Sequence, residues 1–178
     1  MPFTLERHVR IPDALDHAGS TFEELRRTRA EWQSIENGLS YARRMAQGRI
    51  DILAAEIERR THARPSDDLI DRLPHALSSN LRSSGRDAME RGRPGGDLEP
   101  PAWADSIVAS FDEVLPIRGV QDLADLDTED LRLADERMEA IERELSEART
   151  LLHDRIDQLS AALVDRYRGG APVDDLLR

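Results

Sequence analysis

The sequence predicts an all-α protein: an antiparallel two-helix coiled-coil hairpin of two long helices, with shorter helices and a flexible loop in the connecting segment. Three observations carry that expectation. Two segments of about forty residues, 22–61 and 128–168, run without a proline. Within them, residues 35–57 (IENGLSYARRMAQGRIDILAAEI) and 141–163 (IERELSEARTLLHDRIDQLSAAL) align without a gap at an offset of 106, with eleven of twenty-three positions identical. The composition is 39% hydrophobic and 4% aromatic, too little for a thick core, while 34% charged residues suit long solvent-exposed helices. The 178 residues are read as a single helical domain.

Each element has a local reason. Residues 1–19 are a lead-in with weak helical signals, broken by Pro12 and Gly19. Thr21 and Glu24 have capping-box spacing, and the helix they open runs to about residue 61, before Pro65. Such a helix is about 60 Å long and needs a partner to bury its one apolar seam. The connecting segment, 62–127, differs in composition. Ser66 caps a short helix through about Leu73, and Pro74 opens another through about Leu81. Residues 83–101 are rich in Ser, Gly, Arg and Pro and read as a flexible linker. Residues 102–115 form an amphipathic helix with Trp103, Ile107, Phe111 and Leu115 on one face, ended by Pro116. Asp127 or Thr128 caps the second long helix, which continues to about Arg168 before Gly169 and Gly170.

The repeat holds more than a seam. Its apolar positions are Ile35, Leu39, Ala42, Ala46, Ile50, Leu53 and Ile57 in the first copy, and Ile141, Leu145, Ala148, Leu152, Ile156, Leu159 and Leu163 in the second. Their eleven-residue period gives nearly straight helices. Beside the seam, Glu36, Ser40, Arg43, Gln47 and Asp51 are answered by Glu142, Ser146, Arg149, His153 and Asp157. On a helix these five positions fall near 0°, 40°, −20°, 20° and 60°, a stripe roughly 80° wide and about 22 Å long. Packing alone would repeat Leu and Ala, not an order of five polar side chains. Antiparallel pairing of the copies makes a pseudo-twofold axis, and the two stripes become symmetry mates on one surface, brought face to face for a twofold-symmetric ligand.

Arginine presents a planar fork that matches guanine O6 and N7 or a phosphate, and aspartate accepts from guanine N1 and N2. Two such readers point to a ligand with two guanines and two phosphates, as in cyclic di-GMP. The competing explanation is a ladder of Arg, Asp and Glu that bridges two coiled-coil helices and binds nothing, as in a structural coiled-coil adaptor.

The repeated pattern resembles the RsiG family of anti-sigma factors, which bind cyclic di-GMP and sequester WhiG-type sigma factors in sporulating actinobacteria. Its signature is Glu, three residues, Ser, two, Arg, three, Gln, three, Asp, once on each helix of an antiparallel coiled coil. Glu36, Ser40, Arg43, Gln47 and Asp51 match it in full; Glu142, Ser146, Arg149 and Asp157 match, with His153 in place of Gln. The resemblance implies a cyclic di-GMP dimer held by these ten residues, a liganded face that grips a WhiG-type sigma factor, and control of transcription during sporulation. Imidazole lacks the two donors of an amide and gains charge as pH falls toward about 6.5, so the two halves of the site are not expected to be equivalent.

Other chemistry is disfavoured. The net charge of −11 argues against direct DNA binding. There is no cysteine, hence no disulfide and no thiolate metal site. All 25 basic residues are arginine. His153-Asp154 forms an HD dipeptide of the kind seen in metal phosphohydrolases, but His8, His17, His62 and His75 do not stand in ligand spacing with it. No metal and no catalytic residue are therefore expected, and the protein is read as a non-enzymatic regulator. RGRPGGD, residues 91–97, lacks the Lys-Ser/Thr of a phosphate loop. No apolar run reaches membrane-spanning length and no signal peptide is evident, which reads as a cytoplasmic location.

Overall fold

The computed structural model describes residues 3–15, 19–61, 100–115 and 120–169. In chain order these form a single 3₁₀ turn at Leu5–Arg7, helix α1 at Phe22–Thr61, α2 at Ala102–Val114, α3 at Val120–Asp125 and α4 at Thr128–Arg168. No strand occurs among the described residues. The short helices expected at 66–73 and 74–81, the linker up to residue 99, and residues 170–178 lie outside them.

Both long helices start as their sequence dictates. Thr21 N–H donates to Glu24 Oε2 at 2.7 Å, and Glu24 N–H donates to Thr21 Oγ1 at 3.2 Å, a reciprocal capping box. Asp127 is the N-cap of α4, its carboxylate accepting from Asp130 N–H at 2.7 Å. At the other end Gly169 has φ −77°, so α4 stops without a left-handed glycine. Leu115 leaves helical geometry at the end of α2, as a residue before proline is pushed to do. The six-residue α3 was not expected; a helix that short has no periodicity to read.

α1 and α4 lie antiparallel along the predicted seam. Leu39, Ala42, Ala46 and Leu53 of α1, and Ile141, Leu145, Leu152, Ile156 and Leu159 of α4, are buried. Ile35, Ile50, Ile57, Ala148 and Leu163 pack against them half-covered. Leu25, Leu131 and Met138 extend the core beyond the repeats.

One flank of this hairpin is covered. α2 packs its Ile107 and Phe111 face onto α1, with Trp103 against Gly38. Arg49 of α1 donates to Asp112 at 2.6 Å and lies 5.3 Å over the Phe111 ring. Contacts at Gly38 and then at Arg49 mean that α2 runs parallel to α1. Further along, Arg60 donates to the Leu123 and Leu126 carbonyls, both at 2.6 Å, satisfying acceptors at the end of α3. The lead-in runs beside α4 instead: Leu5 N–H donates to Glu144 at 2.8 Å, Arg155 donates to the Pro12 carbonyl, and Arg166 to the Ser20 carbonyl. In helical projection Gly38, Arg49, Glu144 and Arg155 sit about 200–220° from the Glu positions of the stripes. The polar stripes therefore occupy the flank opposite α2 and the lead-in.

Candidate functional site

The hairpin register brings each Glu of one copy to the Arg and Gln/His of the other. Glu36 is fully buried. Its Oε1 accepts from Ser40 Oγ at 2.8 Å, one turn along the same helix, and from Arg149 Nε of α4 at 3.1 Å. His153 Nε2 lies 3.1 Å from that same oxygen, and Gln33 donates to Oε2 at 2.8 Å. Arg149 Nε also reaches Ser40 Oγ at 2.8 Å. The symmetry mate is built the same way. Glu142 Oε1 accepts from Ser146 Oγ at 2.9 Å, Gln47 Nε2 at 3.1 Å and Arg43 Nη1 at 3.4 Å.

Eight of the ten predicted residues thus form two interlocked clamps: Glu36, Ser40, Arg149 and His153 in one, Glu142, Ser146, Arg43 and Gln47 in the other. The carboxylates act on the protein itself, orienting arginines across the seam. The order of polar residues that repeats in sequence is a cross-helix hydrogen-bond pattern in space.

The two aspartates are placed differently from the expectation of ridges face to face. Pairing of 36 with 149 and 153, and of 142 with 43 and 47, sets Asp157 opposite about position 30 of α1, so Asp51 and Asp157 stand roughly 30 Å apart along the axis. They remain on one flank, one at each end of a continuous polar strip. The reason is the antiparallel fold: it superposes the N-terminal halves of the two motifs and sends their C-terminal ends apart. That separation exceeds the reach of a single dinucleotide.

The arginines differ in what they leave available. Arg149 donates through Nε, and its two terminal nitrogens donate to no described residue. Arg43 spends Nη1 on Glu142, and its Nε is buried without a partner. Arg149 is thus held from behind through Nε, whereas Arg43 is held through one of its two terminal nitrogens.

Several residues that position the site were not singled out in the sequence. Gln33 adds a donor to Glu36. Arg29 extends the strip past Asp157, donating to Ser160 Oγ at 2.9 Å. Arg49 and Arg155 fasten the covering elements on the far flank; they are identical in the two copies, so the repeat itself carried that signal.

A cavity of about 740 Å³ lies on the far flank, among Phe3, His8, Ser110, Glu113, Arg137 and Glu144. It is away from the polar strip and contains none of its residues. Among the described residues no group of His, Asp and Glu is arranged to hold a metal ion, and no helix is long and apolar enough to cross a membrane.

A family model described as RsiG-like matches residues 12–77 and 118–178, most of the chain and both copies of the motif. The chain belongs to the RsiG-like family. No curated protein matches it. RsiG-like proteins are regulatory anti-sigma factors rather than enzymes. The family match covers both long helices, and with them the residues of both clamps.

Proposed function

We propose that this protein is an anti-sigma factor whose hold on a WhiG-type sigma factor depends on cyclic di-GMP bound along the polar strip. The observation that carries the reading is the pair of clamps on the flank opposite α2 and the lead-in, each holding an arginine against a buried or half-buried glutamate. In this reading Arg149 and Arg43 read guanine O6 and N7 or hold phosphate, Asp157 and Asp51 accept from guanine N1 and N2, and Gln47 and His153 supply further hydrogen bonds. Glu36, Ser40, Glu142 and Ser146 position the arginines. A strip roughly 30 Å long, with an aspartate at each end, suits two dinucleotides better than one. The ligand then supplies contact surface that the bare hairpin lacks, and the acidic protein, with net charge −11, complements the basic promoter-binding surface of a sigma factor. The protein itself does not contact DNA.

Interhelical ion pairs also fit the second reading, a structural coiled-coil adaptor without a small ligand, because Arg149–Glu36 and Arg43–Glu142 both bridge the seam. Stability alone is a poor reason to keep them. Replacing a buried ion pair with packed apolar side chains is often neutral or stabilising by about 1–4 kcal/mol. Two such networks at symmetry-related positions, each with a braced arginine, are better explained by a ligand.

Calorimetry with cyclic di-GMP, GTP and cyclic di-AMP tests the reading. Binding of cyclic di-GMP alone is expected, abolished by Arg43→Ala with Arg149→Ala while circular dichroism shows unchanged helix content. Undiminished binding in that double variant would reject the site, and a lack of binding by the unaltered protein would favour the adaptor.

A further inference from the structure

We infer that the two half-sites are unequal and fill in order: the half built on Glu36, Arg149 and His153 takes its nucleotide first, with Arg29 as an added phosphate contact. This rests on the cyclic di-GMP reading above and concerns residues outside the repeated motif.

The pseudo-twofold carries position i of α1 to i + 106 of α4. Within the clamps it pairs like with like, but just outside them it fails. Arg29 maps to Asp135, and Gln33 maps to Glu139. All four lie N-terminal to the Glu of their own motif, near 20° and 60° in helical projection, on the same flank as the stripes. Antiparallel pairing then sends the two flanks to opposite ends of the strip. Arg29 and Gln33 stand beside the Asp157 end, as their bonds to Ser160 and Glu36 show. Asp135 and Glu139 stand beside the Asp51 end.

The two ends therefore offer different fields to an anionic ligand. By symmetry each end holds an arginine, an aspartate and a glutamate of the motifs; the first adds Arg29 and Gln33, whereas the second adds Asp135 and Glu139. Burial, with a smaller contribution from the neighbouring Glu139 and Glu136, pushes the Asp135 carboxyl above the usual aspartate range. Asp135 Oδ1 is buried without a hydrogen-bond donor. Geometry points the same way. Arg149 keeps both terminal nitrogens uncommitted among the described residues, whereas Arg43 spends one of its two on Glu142. The first half-site therefore offers more donors to a phosphodiester and a guanine, and the second fewer, against a surplus of carboxylates.

Calorimetric titration of the full chain with cyclic di-GMP is expected to show two steps of unequal affinity. Arg29→Gln should weaken the tighter step about tenfold, the scale of one charge-assisted hydrogen bond, and leave the weaker step in place. Asp135→Asn with Glu139→Gln should tighten the weaker step and bring the two together. Equal affinities in the unaltered protein, or an Arg29→Gln variant with both steps unchanged, would overturn the order while leaving nucleotide binding intact. Absence of any binding by the unaltered protein would instead remove the underlying reading.

Discussion

Glu36, fully buried, and Asp135, half-buried, lie on the same flank of the hairpin and show how unlike two carboxylates are. Glu36 is enclosed by donors from both helices, whereas Asp135 has burial and like charge against it. Glu56 resembles Glu36: hydrogen bonds and charge from Arg59 and Arg60 hold its carboxyl below the usual range despite burial. Opposite pH dependences follow. The stabilisation from Glu56 is present above an unfolded pKa of about 4.5 and is lost as pH falls through its lower folded value. The raised Asp135 carboxyl favours the fold below about 3.8 and ceases to do so as pH rises through its folded value. At pH 7, Glu56→Gln should therefore lower Tm and Asp135→Asn raise it, with both differences shrinking toward pH 3; thermal melts across that range check the signs. The glycines of α1 give a second residue-scale test. A Cβ on Gly38 would stand 2.4 Å from the Trp103 ring and 2.9 Å from Pro101, whereas at Gly48 it meets nothing within 4 Å. Gly48→Ala should stabilise by about 0.8–1 kcal/mol from helix propensity. Gly38→Ala should lose more than that gain, since overpacking costs about 1–3 kcal/mol, and denaturant midpoints separate the two.

At the scale of elements, caps and periodicity account for most of what forms. Thr21→Ala and Asp127→Ala should each cost about 1 kcal/mol through loss of the N-cap bond. Leu145→Ala, at a fully buried seam position, should cost about 2–5 kcal/mol. These elements were legible because their signals are local: Thr21 with Glu24, Asp127 before an acidic first turn, and an apolar residue every three or four positions. The order of five polar residues in each motif was legible for the same reason. Their partners were not. That Glu36 meets Arg149, and not Arg43 of its own stripe, is fixed by the hairpin register, which no short stretch of sequence encodes. The separation of Asp51 from Asp157 has the same origin. The Trp103–Gly38 contact joins residues far apart in the chain, and α3 is too short for its pattern to stand out. Arg49 and Arg155 could have been read from the repeat but carry no chemistry that distinguishes them from solvated arginines.

For the whole molecule, the division into two flanks matters most. α2 and the lead-in cover one side of the hairpin, and the clamps line the other. Ligand that binds only the folded hairpin raises its stability by an amount set by concentration over Kd, about 2.7 kcal/mol at a hundredfold excess for one site. A thermal shift with cyclic di-GMP, absent with GTP and cyclic di-AMP, is the expected result for the intact chain. Association of the liganded protein with a sigma factor should slow as salt rises, because a net charge of −11 steers a basic partner over distances that ions screen.

The bracing of Arg149 by Glu36 sets a limit on how any guest can enter. Pulling that guanidinium away would deprive a carboxylate with no exposed surface of its arginine, a loss of up to about 3–5 kcal/mol for a broken buried pair. In the proposed reading the guest docks onto the outward nitrogens and leaves the brace intact. That end would then act as a rigid mould: the circular dichroism spectrum should be indifferent to occupancy, and capture should proceed without a slow rearrangement preceding it.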